Sequence, residues 1–134
     1  MKIIKLKDKE ILAKFLKDMY DELFDNNSQD LKVYVEMADR YIKDCFVFTD
    51  ENYKGFYIIK DSTIPALPIK RWEGLAVYIK PEYRKTKLLA NFYNHMFKSF
   101  EGDILGFVEP SSDHLNVLKK RHTLVGHIYI LNRS

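Results

Sequence analysis

The fold is decided by residues 74–84, with the sequence Gly-Leu-Ala-Val-Tyr-Ile-Lys-Pro-Glu-Tyr-Arg, and by the apolar segment that follows them. Apolar side chains alternate up to Ile79, which predicts a strand, and Pro81 ends that strand. Apolar residues then recur at helical spacing over residues 87–100, which predicts a helix beginning shortly after Arg84. Because a helix start offers unpaired N–H groups and a partial positive charge, this unit predicts an anion site in an α/β protein.

The rest of the chain gives the order of elements around this unit. A long amphipathic helix follows Asp8, its predicted N-cap, and Ser28 is a candidate cap for a second helix. A short fourth helix carrying Leu115, Val117 and Leu118 is predicted after a cap at residues 110–113. Strands are predicted over residues 2–7, 45–49, 55–59, 72–79, 104–108 and 128–131. The order β-α-α-β-β-β-α-β-α-β predicts a single α/β (α+β) domain over residues 1–134, a mixed and mostly antiparallel sheet with helices on both faces.

Composition narrows the class of protein. The net charge is only +3 and the basic residues are scattered, which disfavours a nucleic-acid-binding surface, although Lys80, Arg84, Lys85 and Lys87 form a local basic patch. No apolar run reaches the length of a membrane span, and the first residues do not have the pattern of a signal peptide. The single Cys45 lies in an apolar run and is expected to be a buried thiol, so no disulfide framework is predicted. We expect a soluble, cytoplasmic protein.

The turn after the predicted fourth strand resembles a known family. Residues 79–84, Ile-Lys-Pro-Glu-Tyr-Arg, are similar to the Val/Ile-x-Pro-x-x-Arg pattern at the centre of the GNAT superfamily of N-acetyltransferases. The predicted element order is also that of the GNAT fold. The resemblance implies acetyl-CoA as cofactor and transfer of its acetyl group, by direct attack, to a primary amine. It does not indicate which amine is the acceptor.

The resemblance also implies which residues hold the cofactor. The backbone of the strand would bind the pantetheine, and the turn and helix start would bind the pyrophosphate. Two residues of the fourth helix would also contact the cofactor. The implied cofactor-binding residues are Leu75, Val77, Ile79, Arg84, Lys85, Thr86, Lys87, Leu88, Leu89, Asn116 and Lys119.

Three positions depart from the family pattern. Lys87 and Leu89 stand where the family has small residues that let the backbone approach a pyrophosphate closely. Lys119 stands where the family has a tyrosine that acts as general acid. Some GNAT enzymes carry a general-base glutamate at a place corresponding to Glu73, which would accept a proton from the amine. The alternative for Glu73 is an ordinary polar residue at the start of a strand.

In a second interpretation, the protein has the GNAT fold but no acetyltransferase activity. Residues 112–119, Ser-Asp-His-Leu-Asn-Val-Leu-Lys, resemble a helix in small GNAT-like proteins of tailed phages, which include internal virion proteins. That resemblance implies a catalytically inactive structural or interaction protein, located in the host cytoplasm or a virion. Homodimerisation and an assembly partner both stay open. A metal site is not predicted, and His95 is expected to be a solvated residue on the polar side of its helix.

Overall fold

The computed structural model describes residues 2–24 and 29–106 of the chain. The predicted fourth helix and last strand, with Asn116 and Lys119, lie outside these residues. A short 3-10 turn, Pro81–Tyr83, separates β4 from α3. The elements in chain order are β1 (Ile3–Lys5), α1 (Lys9–Leu23), α2 (Leu31–Asp44), β2 (Phe46–Asp50), β3 (Gly55–Asp61), β4 (Arg71–Ile79), α3 (Leu88–Ser99) and β5 (Asp103–Leu105).

The strands of the described residues form one mixed sheet in the order β1-β2-β3-β4-β5. The first three pairings are antiparallel, and only β4 and β5 run parallel. A parallel pair needs a crossover connection, and α3 provides it. The predicted fold class is therefore confirmed: the sheet is mostly antiparallel and belongs to an α/β architecture.

Helices cover both faces of the sheet, because β3 is apolar on both sides. Phe56 and Ile58 pack with α1 and α2, whereas Tyr57 and Ile59 pack with α3. All four side chains are at most 1% exposed. The core therefore consists of two layers separated by the sheet, and β4 lies next to the strand that anchors both layers.

A bulge interrupts β4 at its centre. Ile58 pairs with Ala76 and Ile59 pairs with Gly74, so Leu75 has no partner on β3. One extra residue reverses the alternation of side chains along the strand. Trp72 before the bulge and Val77 after it both pack on the α3 side, although they are five positions apart. The strict alternation predicted for the segment is therefore broken at Leu75.

The hairpin between β2 and β3 is closed by a buried aspartate. The sequence predicted that the strand would end at residue 49, but Asp50 belongs to β2 and is fully buried. Its carboxylate accepts hydrogen bonds from the backbone N–H groups of Asn52, Lys54 and Gly55 at 2.7–3.2 Å. These bonds satisfy the buried charge and extend the strand by one residue.

Other ends of the elements differ from the prediction by one or two residues. β1 is shorter than residues 2–7, and β2 begins after Cys45, which ends α2 and is only partly buried. Burial raises the pKa of the Cys45 thiol. β5 (Asp103–Leu105) begins one residue earlier than predicted, and residues 107 and 108 of the predicted strand lie outside the described residues. Strand ends depend on which neighbour is present to pair, and local sequence does not contain that information.

The helix caps show one confirmed and one corrected prediction. Asp8 caps α1, since its carboxylate accepts from the N–H groups of Glu10 and Ile11 at 2.9 and 3.3 Å. Ser28 lies outside the described residues, and the N-cap position of α2 is Asp30, whose side chain makes no capping bond. Within the described residues, no helix is long and apolar enough to cross a membrane.

His95 is not a solvated residue. Its Nδ1 lies 2.6 Å from the hydroxyl of the fully buried Tyr57, and its ring packs edge-on against Phe48 at 4.8 Å between centroids. Burial lowers the pKa of His95 and raises that of Tyr57. The prediction was wrong because the polar side of α3 still faces the edge of the sheet at this position.

Candidate functional site at the free end of β4

The two halves of β4 have different neighbours on the β5 side. Arg71, Trp72 and Glu73 pair with Asp103, Ile104 and Leu105, and the pairing ends there. A Cβ added to Gly74 would meet Leu105 O at 3.6 Å, and one added to Gly106 would meet nothing within 4 Å. Within the described residues, the β5 side of residues 74–79 therefore has no strand partner. Except for the carbonyl of Ile79, which accepts from Arg84 Nε, no strand of the described residues occupies the backbone N–H and C=O groups on this side, where a ligand can bind them.

A groove follows this free edge between β4 and the last turns of α1. Its volume is about 350 Å³. Val77 and Ile79, two of the predicted cofactor residues, lie in its wall. We call it the apolar groove, and its lining residues are Met19, Glu22, Leu23, Val77, Tyr78, Ile79, Arg84 and Leu89.

A second groove lies beside the first and has a different character. Its volume is about 400 Å³, and four carboxylates line it with one lysine. Glu22 and Tyr78 belong to both grooves and form the wall between them. We call it the acidic groove, and its lining residues are Asp18, Asp21, Glu22, Tyr78, Lys80, Pro81 and Glu82.

The side chain of Arg84 is held in place by hydrogen bonds to Glu22 and to the backbone of Ile79. Its Nη1 and Nη2 donate to the two carboxylate oxygens of Glu22, each at 2.5 Å. Its Nε donates to the carbonyl oxygen of Ile79 at 2.9 Å. The hydrogen bonds from Arg84 hold the pKa of the Glu22 carboxyl below its usual value, and the Tyr78 hydroxyl adds to this shift. The side chain that the sequence assigns to phosphate is thus joined to α1.

At the start of α3 one side-chain hydroxyl is hydrogen-bonded within the turn, and two lysine ammonium groups face solvent. The Thr86 hydroxyl donates to Tyr83 O at 2.6 Å and accepts from the N–H of Leu88 at 3.3 Å. Lys87 occupies the N-cap position and makes no capping bond with its side chain. Lys85 and Lys87 are both exposed, so their ammonium groups face solvent at the helix start. This arrangement favours an anion there.

Leu88 and Leu89 do not occupy the space in front of the helix. Leu88 is fully buried and Leu89 is only 7% exposed, and both pack in the core on the α3 side. Leu89 reaches the apolar groove as part of its wall. The leucine that stands in place of a small residue therefore points inward, while the lysine at position 87 points outward.

Glu73 lies away from both grooves. It belongs to the paired half of β4, opposite Lys60 on β3 and Leu105 on β5. Four residues of strand place it roughly 13 Å from Val77. Leu75, between them, is 39% exposed at the bulge. The structure therefore brings Val77, Ile79, Arg84 and Leu89 together and leaves Glu73 at a distance.

The contribution of α1 to the site was not predicted from the sequence. Asp18, Asp21 and Glu22 lie at three- and four-residue spacing, which places them on one side of the helix toward β4. That spacing was readable from the sequence, but it also fits an ordinary solvated helix face. Asp21 forms an ion pair with Lys17 at 2.6 Å, so the acidic face is partly neutralised within α1.

Comparisons with known proteins agree with this architecture. No protein-family model matches the chain, and no curated protein sequence matches it. Among solved structures, the chain is similar to ribosomal-protein-alanine N-acetyltransferase from Brucella melitensis biovar Abortus 2308, with 13% identity, a TM-score of 0.69 and 99% of each chain covered. The chain has the GNAT acetyltransferase fold.

Two further solved structures show the same likeness. AAC(6')-Iy in complex with the bisubstrate analog CoA-S-monomethyl-acetylneamine is 7% identical at a TM-score of 0.64, with 99% of this chain and 97% of that chain covered. Aminoglycoside acetyltransferase meta-AAC0020 from an uncultured soil metagenomic sample, in complex with sisomicin, is 13% identical at a TM-score of 0.61, with 98% and 96% covered. At these identities the likeness shows the fold alone.

Proposed function

We propose that this protein binds acetyl-CoA and transfers its acetyl group to a primary amine. The observation that carries the proposal is the free β5-side edge of residues 74–79, which borders the apolar groove and leads to a basic helix start. An elongated ligand matches these surfaces if it has an amide-containing arm for the strand edge and the groove, and phosphates at one end for the basic helix start. The fold shared with acetyltransferases adds support.

The residues present fit the cofactor. Val77, Ile79 and Leu89 offer an apolar wall, and the free backbone groups of β4 offer hydrogen bonds to the amides of a pantetheine arm. Lys85 and Lys87 are exposed cations at the start of α3, where phosphates would be held. When bound, acetyl-CoA supplies an activated acetyl thioester.

The amine side of the reaction needs a group that accepts a proton. We propose Glu73 for this role, acting through water because it lines neither groove. Glu73→Gln keeps the size of the side chain and removes its basicity. A fall in kcat with little change in KM for acetyl-CoA is expected, and Glu36→Gln, on the exposed side of α2, is the matched control.

Calorimetric titration with acetyl-CoA tests the binding step directly. We expect binding by the protein and at least a threefold loss of affinity in Lys87→Ala, since one phosphate-facing cation is removed. Lys98→Ala is the control, because Lys98 lies in the last turn of the same helix. Absence of binding at millimolar acetyl-CoA would contradict the proposal. Equal losses in both variants would mean that charge alone, and not the helix start, attracts the ligand.

A second candidate function is a structural or interaction protein that keeps the fold without the activity. Two observations favour it: Glu22 and Ile79 already engage Arg84, and Tyr83 and Leu88 already engage the Thr86 hydroxyl. The resemblance of residues 112–119 to phage proteins points the same way. This candidate predicts no acetyl-CoA binding and a stable complex with another protein chain or a second copy, which size-exclusion chromatography with light scattering would detect.

A further inference from the structure

Glu22 occupies a position that the proposed function does not use. It lies in the last turn of α1 and faces both grooves, and its carboxylate contacts Arg84 and Tyr78. Two oxygens receive two parallel N–H donors from the guanidinium, which is the geometry that guanidinium groups also use for phosphate. The two carboxylate oxygens of Glu22 therefore occupy the positions beside Arg84 that two phosphate oxygens could take.

Most of the hydrogen-bonding capacity of Arg84 is consumed in this arrangement. A guanidinium has five N–H donors. Two point to Glu22 and a third points to Ile79 O, so at most two are left for any other acceptor. A phosphate that needs a bidentate contact with Arg84 must therefore compete with Glu22 for the same two nitrogen atoms.

A phosphate can replace Glu22 on Arg84 at a small cost in free energy, because the ion pair is partly solvated. The side chains of Arg84 and Glu22 are 41% and 38% exposed. Ion pairs of this exposure contribute little to stability, because water screens the charges and the two side chains lose conformational freedom. A diphosphate has more charge and more acceptor oxygens than one carboxylate, so it can displace Glu22. The Nε bond to Ile79 O keeps the guanidinium oriented during such an exchange.

We propose that Glu22 is an internal competitor that controls access of anionic ligands to Arg84, and that a phosphate-bearing ligand binds by displacing its carboxylate. The ligand class is a diphosphate or a molecule that carries one, and the inference rests on the proposed function only for the choice of acetyl-CoA as one such molecule. Glu22 acts through Arg84 and is a positioning residue. Removing its charge makes Arg84 available and strengthens anion binding.

Inorganic pyrophosphate and CoA are the two probes for this proposal. Titrations in low-salt buffer compare the unaltered protein with Glu22→Gln, which keeps the size of the side chain and one acceptor oxygen. Loss of a competing interaction of at most about 1 kcal/mol predicts that Glu22→Gln binds pyrophosphate up to about fivefold more tightly. Glu10→Gln, an exposed glutamate in the first turn of the same helix, is the control and should leave the affinity unchanged.

A spectroscopic readout separates competition from a general effect of charge. The Nε–Hε signal of Arg84 in nitrogen-edited NMR should shift in Glu22→Gln and not in Glu10→Gln. Pyrophosphate added to the unaltered protein should shift it in the same sense. A merely structural role for Glu22 predicts weaker binding in Glu22→Gln, since α1 and the turn would lose their connection. Equal or weaker pyrophosphate binding, or none by either protein, overturns the proposal.

The two probes distinguish failure of this proposal from failure of the proposed function. If pyrophosphate binds more tightly to Glu22→Gln while CoA binds to neither protein, the competition stands and the acetyl-CoA proposal fails. If CoA binds equally well to both proteins and pyrophosphate shows no gain, the proposed function stands and the competition fails. Thermal unfolding of both proteins in the same buffer confirms that folded protein is being compared.

Discussion

The two halves of β4 belong to one strand and have different roles. Residues 72 and 73 are paired with both β3 and β5, and Trp72 is buried and donates its indole N–H to Glu101 O at 2.9 Å. Among the described strands, residues 76–79 pair with β3 alone, and the bulge at Leu75 separates them from the first half. A strand can leave one edge unpaired where water or a ligand satisfies its polar groups. The paired half therefore fixes the sheet, and the unpaired half forms the candidate site.

The largest expected effect comes from breaking the paired half at Gly102. Its φ is +109°, and an added Cβ would lie 2.2 Å from Lys70 O, the carbonyl that accepts from Asp103 N at the start of β5. Gly102→Ala combines backbone strain with a clash, so we expect a loss of about 3 kcal/mol in the free energy of unfolding. Urea denaturation measures it. Gly106→Ala, with nothing within 4 Å, is the control and should change little.

The unpaired half has its own sensitive glycine on the neighbouring strand. Gly55 pairs with Ile79, and an added Cβ would lie 2.5 Å from Tyr78 O and 3.0 Å from Phe92 Cε2. We expect Gly55→Ala to lower the free energy of unfolding by about 2 kcal/mol, because backbone must move. Gly74→Ala is the matched control, since its Cβ would make an ordinary 3.6 Å contact. Similar losses in both variants would show that β4 responds as one unit.

A pair of aromatic substitutions compares the polar contacts of the two halves. Trp72→Phe removes the indole hydrogen bond to Glu101 O, and we expect a loss of about 1 kcal/mol in the free energy of unfolding. Tyr78→Phe removes a hydroxyl from the wall between the grooves, where solvent can replace it, and should cost less than half as much. Chemical denaturation of both variants in one buffer decides the order. A larger loss for Tyr78→Phe would assign the hydroxyl a structural role.

The smallest expected effect is the pH dependence of the Glu22–Arg84 pair. Hydrogen bonds from Arg84 hold the folded-state pKa of Glu22 below its ordinary value of 4.5. The folded protein therefore binds fewer protons than the unfolded chain in this range, and the pair stabilises the fold above about pH 4.5. As the pH falls through the folded-state pKa, that contribution is lost.

Comparison of the unaltered protein with Glu22→Gln measures this contribution. The difference in free energy of unfolding should be at most about 1 kcal/mol at pH 6–7, because the pair is partly exposed, and should shrink toward zero once the pH has fallen through the lowered pKa of Glu22. Urea melts at four pH values are sufficient. A difference that stays constant down to the acid end would mean that Glu22 contributes by packing and not by charge.

Over the described residues, the order of elements is the one that the sequence predicted, because periodicity is a local property. The strand that ends at Ile79 and the cap at Asp8 are each decided by a few neighbouring residues, and each is present in the structure. The strand ends at residues 45–50 were less accurate, since the burial of Asp50 depends on three N–H groups of the following turn.

The candidate site was predictable only in part. The turn and helix start are contiguous in sequence, so Arg84, Lys85 and Lys87 could be identified from their order alone. The participation of α1 could not, because Glu22 and Arg84 are separated by 62 positions and nothing local indicates that they meet. For the same reason the engagement of Arg84 and the distance of Glu73 from the grooves were not foreseen.

By itself, the sequence determined which segments are helices and strands and that a basic helix start follows the fourth strand, since these depend on local periodicity and on residue types. The tertiary structure decided what each side chain of the turn can bind. It inserts the bulge at Leu75, pairs β4 with the described part of β5 only as far as Glu73, and brings α1 against the turn. Those features arise from contacts between distant segments, where geometry decides whether a charge is paired or available.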